Sequence, residues 1–188
     1  FVGLGMINNN NNKETTMLKT KINVSLPRNS YNHELAEKLK SATQFILKEL
    51  MSVKMANTLK IKIHVRKTTL GARTLGQVEH DTNGSKSQKE FLIELRHDQS
   101  DREKIITLAH ELVHVEQNVS KRLQYRFWSS DKKLHVRWEG KELGEASQIP
   151  YRERPHEVEA FAKQEILADM FNIPHLTKFK REELKKLN

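Results

Sequence analysis

The chain has 188 residues, with 33 Lys or Arg against 24 Asp or Glu, a formal charge of +9 and no cysteine. Its length favours one domain plus tails and allows a core that needs no covalent staples. The missing cysteines exclude disulfides, thiolate catalysis and Cys-ligated zinc, so any metal must be held by His, Asp or Glu.

The positive balance favours acidic or nucleic-acid partners. It is spread along the whole chain, however, and no recognised nucleic-acid motif accompanies it. No apolar run approaches the roughly 20 residues of a membrane span. Residues 1–17, FVGLGMINNNNNKETTM, lack a basic region and a small-residue cleavage site. They are expected to be a disordered low-complexity tail rather than a secretory signal. The expected location is cytoplasmic: a cell interior or a virion.

The folded domain is expected over residues 18–175. Between Tyr31 and Met55, Leu35, Leu39, Ala42, Ile46, Leu50 and Val53 form one apolar stripe, which predicts an amphipathic helix. In LKIKIHVRK, Ile61, Ile63 and Val65 alternate with charged or polar residues, the period of a half-buried strand. TLGQVEHD is a weaker strand, DTNGSKSQ a turn, and KEFLIELRH a third strand with Phe91, Ile93 and Leu95 on one face. A helix from about residue 102 to 121 follows, with Asp101 as its expected cap. KLHVRWEGKEL reads as two short strands about Glu139–Gly140. A second long helix begins at Pro155 and stops before Pro174, and residues 176–188 form a basic tail or short helix. Sequential strands joined by short loops imply an antiparallel sheet with helices packed on it, an α+β fold.

The chemistry concentrates in LAHELVHVEQ, Leu108 to Gln117. His110 and His114 stand four apart on one helical face, the spacing at which two imidazoles bind one metal ion. Glu111 is turned by about 100° from His110, able to reach a metal-bound water without being a ligand. The plain alternative is a solvated histidine pair on a charged helix. Catalytic zinc needs a third protein ligand and an open position. The extended motif HExxHxxGxxH would supply it, but Gln117 and Ser120 stand where Gly and His are required. The third ligand is therefore expected downstream, at Glu157 or Glu159 in RPHEVEAF. Glu165 is a rival, with Asp169 four residues on as a partner for a ligand histidine. Glu139, Glu142 and Glu145 fall in turn-like sequence and rank lower. Trp128 and Trp138 read as core or turn aromatics. His64, His80, His97 and His135 lack metal spacing, so exposed histidine is their default.

HELVHVEQ, then WEGK, then Tyr151, then PHEVEAF, resemble small zinc metallopeptidase-like proteins of phages and prophages. Those proteins pair HExxHxxQ with a W-x-G turn and a P-x-E-x-E-A helix. They are reduced relatives of the glutamate-liganded zincins, or gluzincins, with SprT-like proteins more distant. The resemblance spans about Ile61 to Phe171. It implies a minimal zincin-like fold: a small antiparallel sheet against an N-terminal helix, an HExxH helix and a C-terminal ligand helix. It also implies one Zn2+ held by His110, His114 and a glutamate, with Glu157 in the position of the first glutamate. Related zincins carry an acid four residues later, where this chain has Phe161.

From that ligand set follows a zinc-dependent peptidase acting on a protein or peptide. Zinc would activate a bound water, with Glu111 as general base. Tyr151 and His156 are candidate oxyanion donors; a tyrosine packed in the core and a solvated histidine are the plain alternatives. A competing function is a basic nucleic-acid-associated protein with a zincin fold and little turnover, including a DNA-linked SprT-like protease. The chain shows neither a zinc ribbon nor a DNA-binding module.

Overall fold

A computed structural model describes residues 18–27, 32–67, 74–80, 89–129 and 132–187. The expected N-terminal tail over 1–17 and the turn over 81–88 lie outside these residues. The fold is α+β. A four-stranded sheet has the order β1 (Lys21–Ser25), β2 (Lys60–Arg66), β4 (Glu90–Arg96), β3 (Gly76–His80). β1 runs parallel to β2 and β2 to β4; only β3 is antiparallel to its neighbour. The expected antiparallel sheet is thus corrected to a mixed one. The return strand β3 pairs outside β4 instead of between β2 and β4, so those two strands start from the same end. Strand periodicity carries no information on direction, and β1, with only Ile22 and Val24 to signal it, escapes the pattern.

The β2–β4 register sets Ile61 opposite Phe91, Ile63 opposite Ile93 and Val65 opposite Leu95. All six are buried on one face. Leu39, Ile46 and Leu47 of α1 (His33–Leu50) and Ile105, Leu108 and Leu112 of α3 (Asp101–Val119) join them in one core. Burial of each such side chain stabilises the fold by roughly 1.5–3 kcal/mol. The first helix is shorter than expected. It ends at Leu50, and Ser52 caps a separate turn, α2 (Val53–Ala56), by accepting from the Met55 amide.

α3 is capped by Ser100 rather than Asp101. The Ser100 hydroxyl accepts the Glu103 amide at 3.2 Å, and the Glu103 carboxylate accepts the Ser100 amide at 2.7 Å. This reciprocal box satisfies two donors that a helix start leaves orphaned. α3 is buried nearly all round because α1, the sheet and α4 (Pro155–Asn172) enclose it.

A second sheet is an antiparallel meander of β5 (Leu123–Trp128), β6 (Lys133–Trp138) and β7 (Lys141–Glu145). The β6–β7 turn has positive φ at both Glu139 (48°) and Gly140 (83°), the tight hairpin geometry that matches strand twist. β5 was not expected from the sequence. α5 (Thr177–Lys185) docks on α4 through buried Leu184, and Arg181 pairs with Glu49 of α1. Among the described residues, no helix is long and apolar enough to cross a membrane.

Candidate metal centre

α3 carries His110 and His114 one turn apart, and the first turn of α4 carries Glu157 across from them. Pro155 at the first helical position starts α4 so that Glu157 faces α3. His110 Nε2 lies 3.2 Å from His114 Nε2 and 3.2 Å from Glu157 Oε2, and His114 Nε2 lies 3.3 Å from Glu157 Oε2. All three residues are buried. In a tetrahedral zinc site with bonds near 2.0–2.1 Å, neighbouring ligand atoms are about 3.3 Å apart. The three donors therefore fit one small cation.

Hydrogen bonding on the far side of each imidazole supports the same conclusion. His114 Nδ1 meets Gln117 Oε1 at 2.8 Å, and His110 Nδ1 meets Gln164 Oε1 at 2.9 Å. An amide oxygen only accepts, so with the two amides in this orientation each Nδ1 carries the hydrogen and each Nε2 presents a lone pair. Two lone pairs and a carboxylate oxygen converge, an arrangement that a cation relieves.

Burial opposes the charge of Glu157, but hydrogen bonds from His110 and His114 in their protonated forms outweigh it and hold the carboxyl well below its usual range. At His114, burial works against the proton, while the Glu157 hydrogen bond and charge outweigh it and raise the pKa above 6.5. A ligand imidazole must be unprotonated, so protons compete with metal at a higher pH than they would at an ordinary histidine. Zinc affinity, measured by chelator competition from about pH 8 to about pH 5.5, should fall steadily, with the decline already under way at pH 6.5. A flat profile would contradict this coupling.

No family model, curated protein or solved structure matches the chain. Function is therefore argued from the site itself.

His110, Glu111, His114 and Glu157 line a cleft of about 1020 Å³, walled by residues 74–78 on one side and by Tyr125, Tyr151 and Phe161 on the other. Glu111 is 5% exposed, and burial raises its pKa. Gly76 of β3 makes room for it. A Cβ at Gly76 would sit 2.5 Å from Thr107 Cγ2 and 3.1 Å from both Glu111 Oε1 and the Glu94 carbonyl. Gly76→Ala should destabilise the fold by about 1–3 kcal/mol through overpacking and displace the Glu111 carboxylate. Urea denaturation and zinc titration check this: stability should drop while metal affinity holds. Unchanged stability would mean that the strand simply moves aside.

The rival carboxylates lie elsewhere. Glu159 accepts from Gln117, Arg122 and Lys163. Glu165 is exposed. Asp169, expected beside a ligand histidine, pairs instead with Arg102 and Lys180. Glu142 lies near Arg137, Glu145 pairs with Lys133, and Glu139 pairs with Arg122, all on the second sheet or its turn. Among the described residues, neither His64, His97 nor His135 belongs to a potential metal group; the side chain of His80 lies outside the described set. Trp128 stacks on His135 with ring centroids 4.3 Å apart, and Trp138 packs beside Leu123 and Val136.

His156 is 1% exposed rather than solvated, and burial pushes its pKa down to about 4, so it is neutral. Its Nε2 meets the Tyr125 hydroxyl at 3.1 Å, and its Nδ1 has no partner among the described residues. Tyr151 is half exposed in the cleft rather than packed in the core. Burial, followed by a hydrogen bond to Glu157, raises its pKa, so the phenol keeps its proton. Sequence reasoning missed Tyr125, Gln164 and Gly76. Each acts across the fold, with no spacing signal in the chain.

Proposed function

We propose that this protein is a zinc-dependent peptidase, a reduced relative of the glutamate-liganded zincins. The observation that carries this reading is the convergence of three buried donors in an open cleft with Glu111 beside them. Two imidazoles and one carboxylate suit zinc better than the harder, oxygen-preferring Mg2+ or Ca2+. A structural site would not need the adjacent carboxylate.

The cleft wall supports a peptide as substrate. β3 is an edge strand and, among the described residues, pairs only with β4. Its outer edge borders the cleft, so an extended peptide can add to it by main-chain hydrogen bonds, with side chains turned alternately into and away from the cleft.

When bound at His110, His114 and Glu157, zinc would supply a Lewis acid for the scissile carbonyl and lower the pKa of water. Glu111 takes a proton from the attacking water on its carboxylate and returns it to the leaving nitrogen. Its buried, upshifted carboxyl suits both halves of that exchange. Tyr151, protonated and in the cleft, would exchange its hydrogen bond to Glu157 for one to the oxygen that gains charge. His156 backs the same wall through Tyr125. Incubation of the zinc-loaded protein with a peptide library, read by mass spectrometry, tests the proposal. A fully loaded protein that cleaves nothing would overturn it.

One observation favours the nucleic-acid reading. The β5–β6 hairpin exposes Tyr125, Phe127 and Trp128 alongside Arg126, Lys132 and Lys133. Aromatic and basic side chains together suit single-stranded nucleic acid. A salt-sensitive mobility shift that Phe127→Ala with Trp128→Ala abolishes would support it.

A further inference from the structure

We infer that Glu159 and Gln117 are positioning residues: Glu159, acting through Gln117, holds His114 in the tautomer whose Nε2 is free to bind metal. The inference rests on the metal-binding reading of His110, His114 and Glu157, but not on peptidase activity.

Gln117 is fully buried. Its Nε2 donates to the His156 main-chain carbonyl at 3.0 Å and to Glu159 Oε2 at 2.8 Å. A carbonyl oxygen and a carboxylate only accept, so the amide NH2 must face them. Turning the amide round would set its oxygen against two acceptors. The oxygen is therefore committed to His114 Nδ1, 2.8 Å away, and that nitrogen must carry the hydrogen. The lone pair of His114 is then on Nε2, which faces His110 and Glu157.

Gln164 offers no such lock to His110. Among the described residues its only hydrogen bond is the one to His110 Nδ1, so its amide orientation has no second constraint. The two histidines are thus held differently, and His114 is the one preset by the fold.

Glu159 is held as firmly as the amide it orients. Arg122 grips both of its oxygens, Nη2 to Oε1 at 3.0 Å and Nη1 to Oε2 at 3.0 Å, and Lys163 binds Oε1 from one turn along α4. Arg122 is fixed in turn by Glu116 of α3, by Glu139 of the β6–β7 turn and by the Trp138 ring, 5.1 Å from its guanidinium carbon. Residues i and i+2 of a helix point about 200° apart. The two glutamates of PHEVEAF therefore divide the work. Glu157 faces the histidines, and Glu159 faces the Arg122 network behind them. Partners of a ligand histidine commonly carry 10–100-fold of metal affinity.

Imidazole 15N NMR of the metal-free protein, at a pH where His114 is neutral, tests the claim directly. The wild-type protein should show the Nδ1–H tautomer at His114. Gln117→Met, of similar shape but without the amide, should mix the tautomers and weaken zinc binding about 10- to 100-fold. Glu159→Leu should do the same to a smaller degree. A wild-type His114 protonated on Nε2 overturns the proposal, whether or not any variant folds. So does a folded Gln117→Met protein with wild-type zinc affinity. If the wild-type protein takes up no zinc, the metal reading fails, and the tautomer still decides whether Gln117 positions His114.

Discussion

Glu111→Gln is expected to leave zinc bound and to cut peptide hydrolysis by at least about 100-fold, the usual scale of a lost general base. Glu111 lies beside the donors without joining them. Among the described residues, the donor group consists of His110, His114 and Glu157. The amide of glutamine has nearly the same shape, so the cleft should keep its form. Burial disfavours the charge of Glu111, and the uncharged amide removes that cost. Thermal stability should therefore hold or rise while activity falls, the pattern of a residue kept for chemistry rather than for folding. Hydrolysis of a fluorogenic peptide, with zinc content and melting temperature measured on the same samples, gives all three quantities. Wild-type turnover in Glu111→Gln would remove the proposed proton transfer.

Glu157→Gln should weaken zinc binding by about 100- to 1000-fold, because zinc sites divide roughly 10–16 kcal/mol among four ligands. The remaining carboxylates cannot replace it. Glu159 is held by Arg122, Lys163 and Gln117 on the other side of Gln117 from the histidines. Glu165 is exposed on α4. The expected order of loss is Glu157→Gln first, Glu159→Gln well behind it, and Glu165→Gln without effect. Isothermal titration of the three variants ranks them. Equal losses for Glu157 and Glu165 would mean that the ligand helix is rotated from the orientation described.

The part of this site legible in the sequence is the part that lies within one helix. His110, Glu111 and His114 are fixed relative to one another by helical geometry alone, and the apolar residues around them indicated a buried helix. The choice among Glu157, Glu159 and Glu165 was not legible, because it depends on how α4 is rotated against α3. Gln117 entered the sequence argument only as a missing glycine and as the last residue of HExxHxxQ, and its contact with Glu159, 42 residues away, is created by folding. The fold followed the same division. β2 and β4 announced themselves through Ile61, Ile63, Val65 and Phe91, Ile93, Leu95. Their parallel pairing did not, since alternation is blind to direction. β5 went unseen because, of its residues, only Leu123 is buried, and Trp128 falls on the polar side of the alternation Leu123, Tyr125, Phe127.

The most direct test of the metal centre is zinc stoichiometry in the purified, zinc-equilibrated protein, measured by plasma mass spectrometry with Glu157→Gln as control. About one zinc per chain, lost on dialysis from the variant but kept by the wild type, is the expected result for three protein ligands and one open position. A wild-type protein that holds far less than one zinc per chain after equilibration would contradict it.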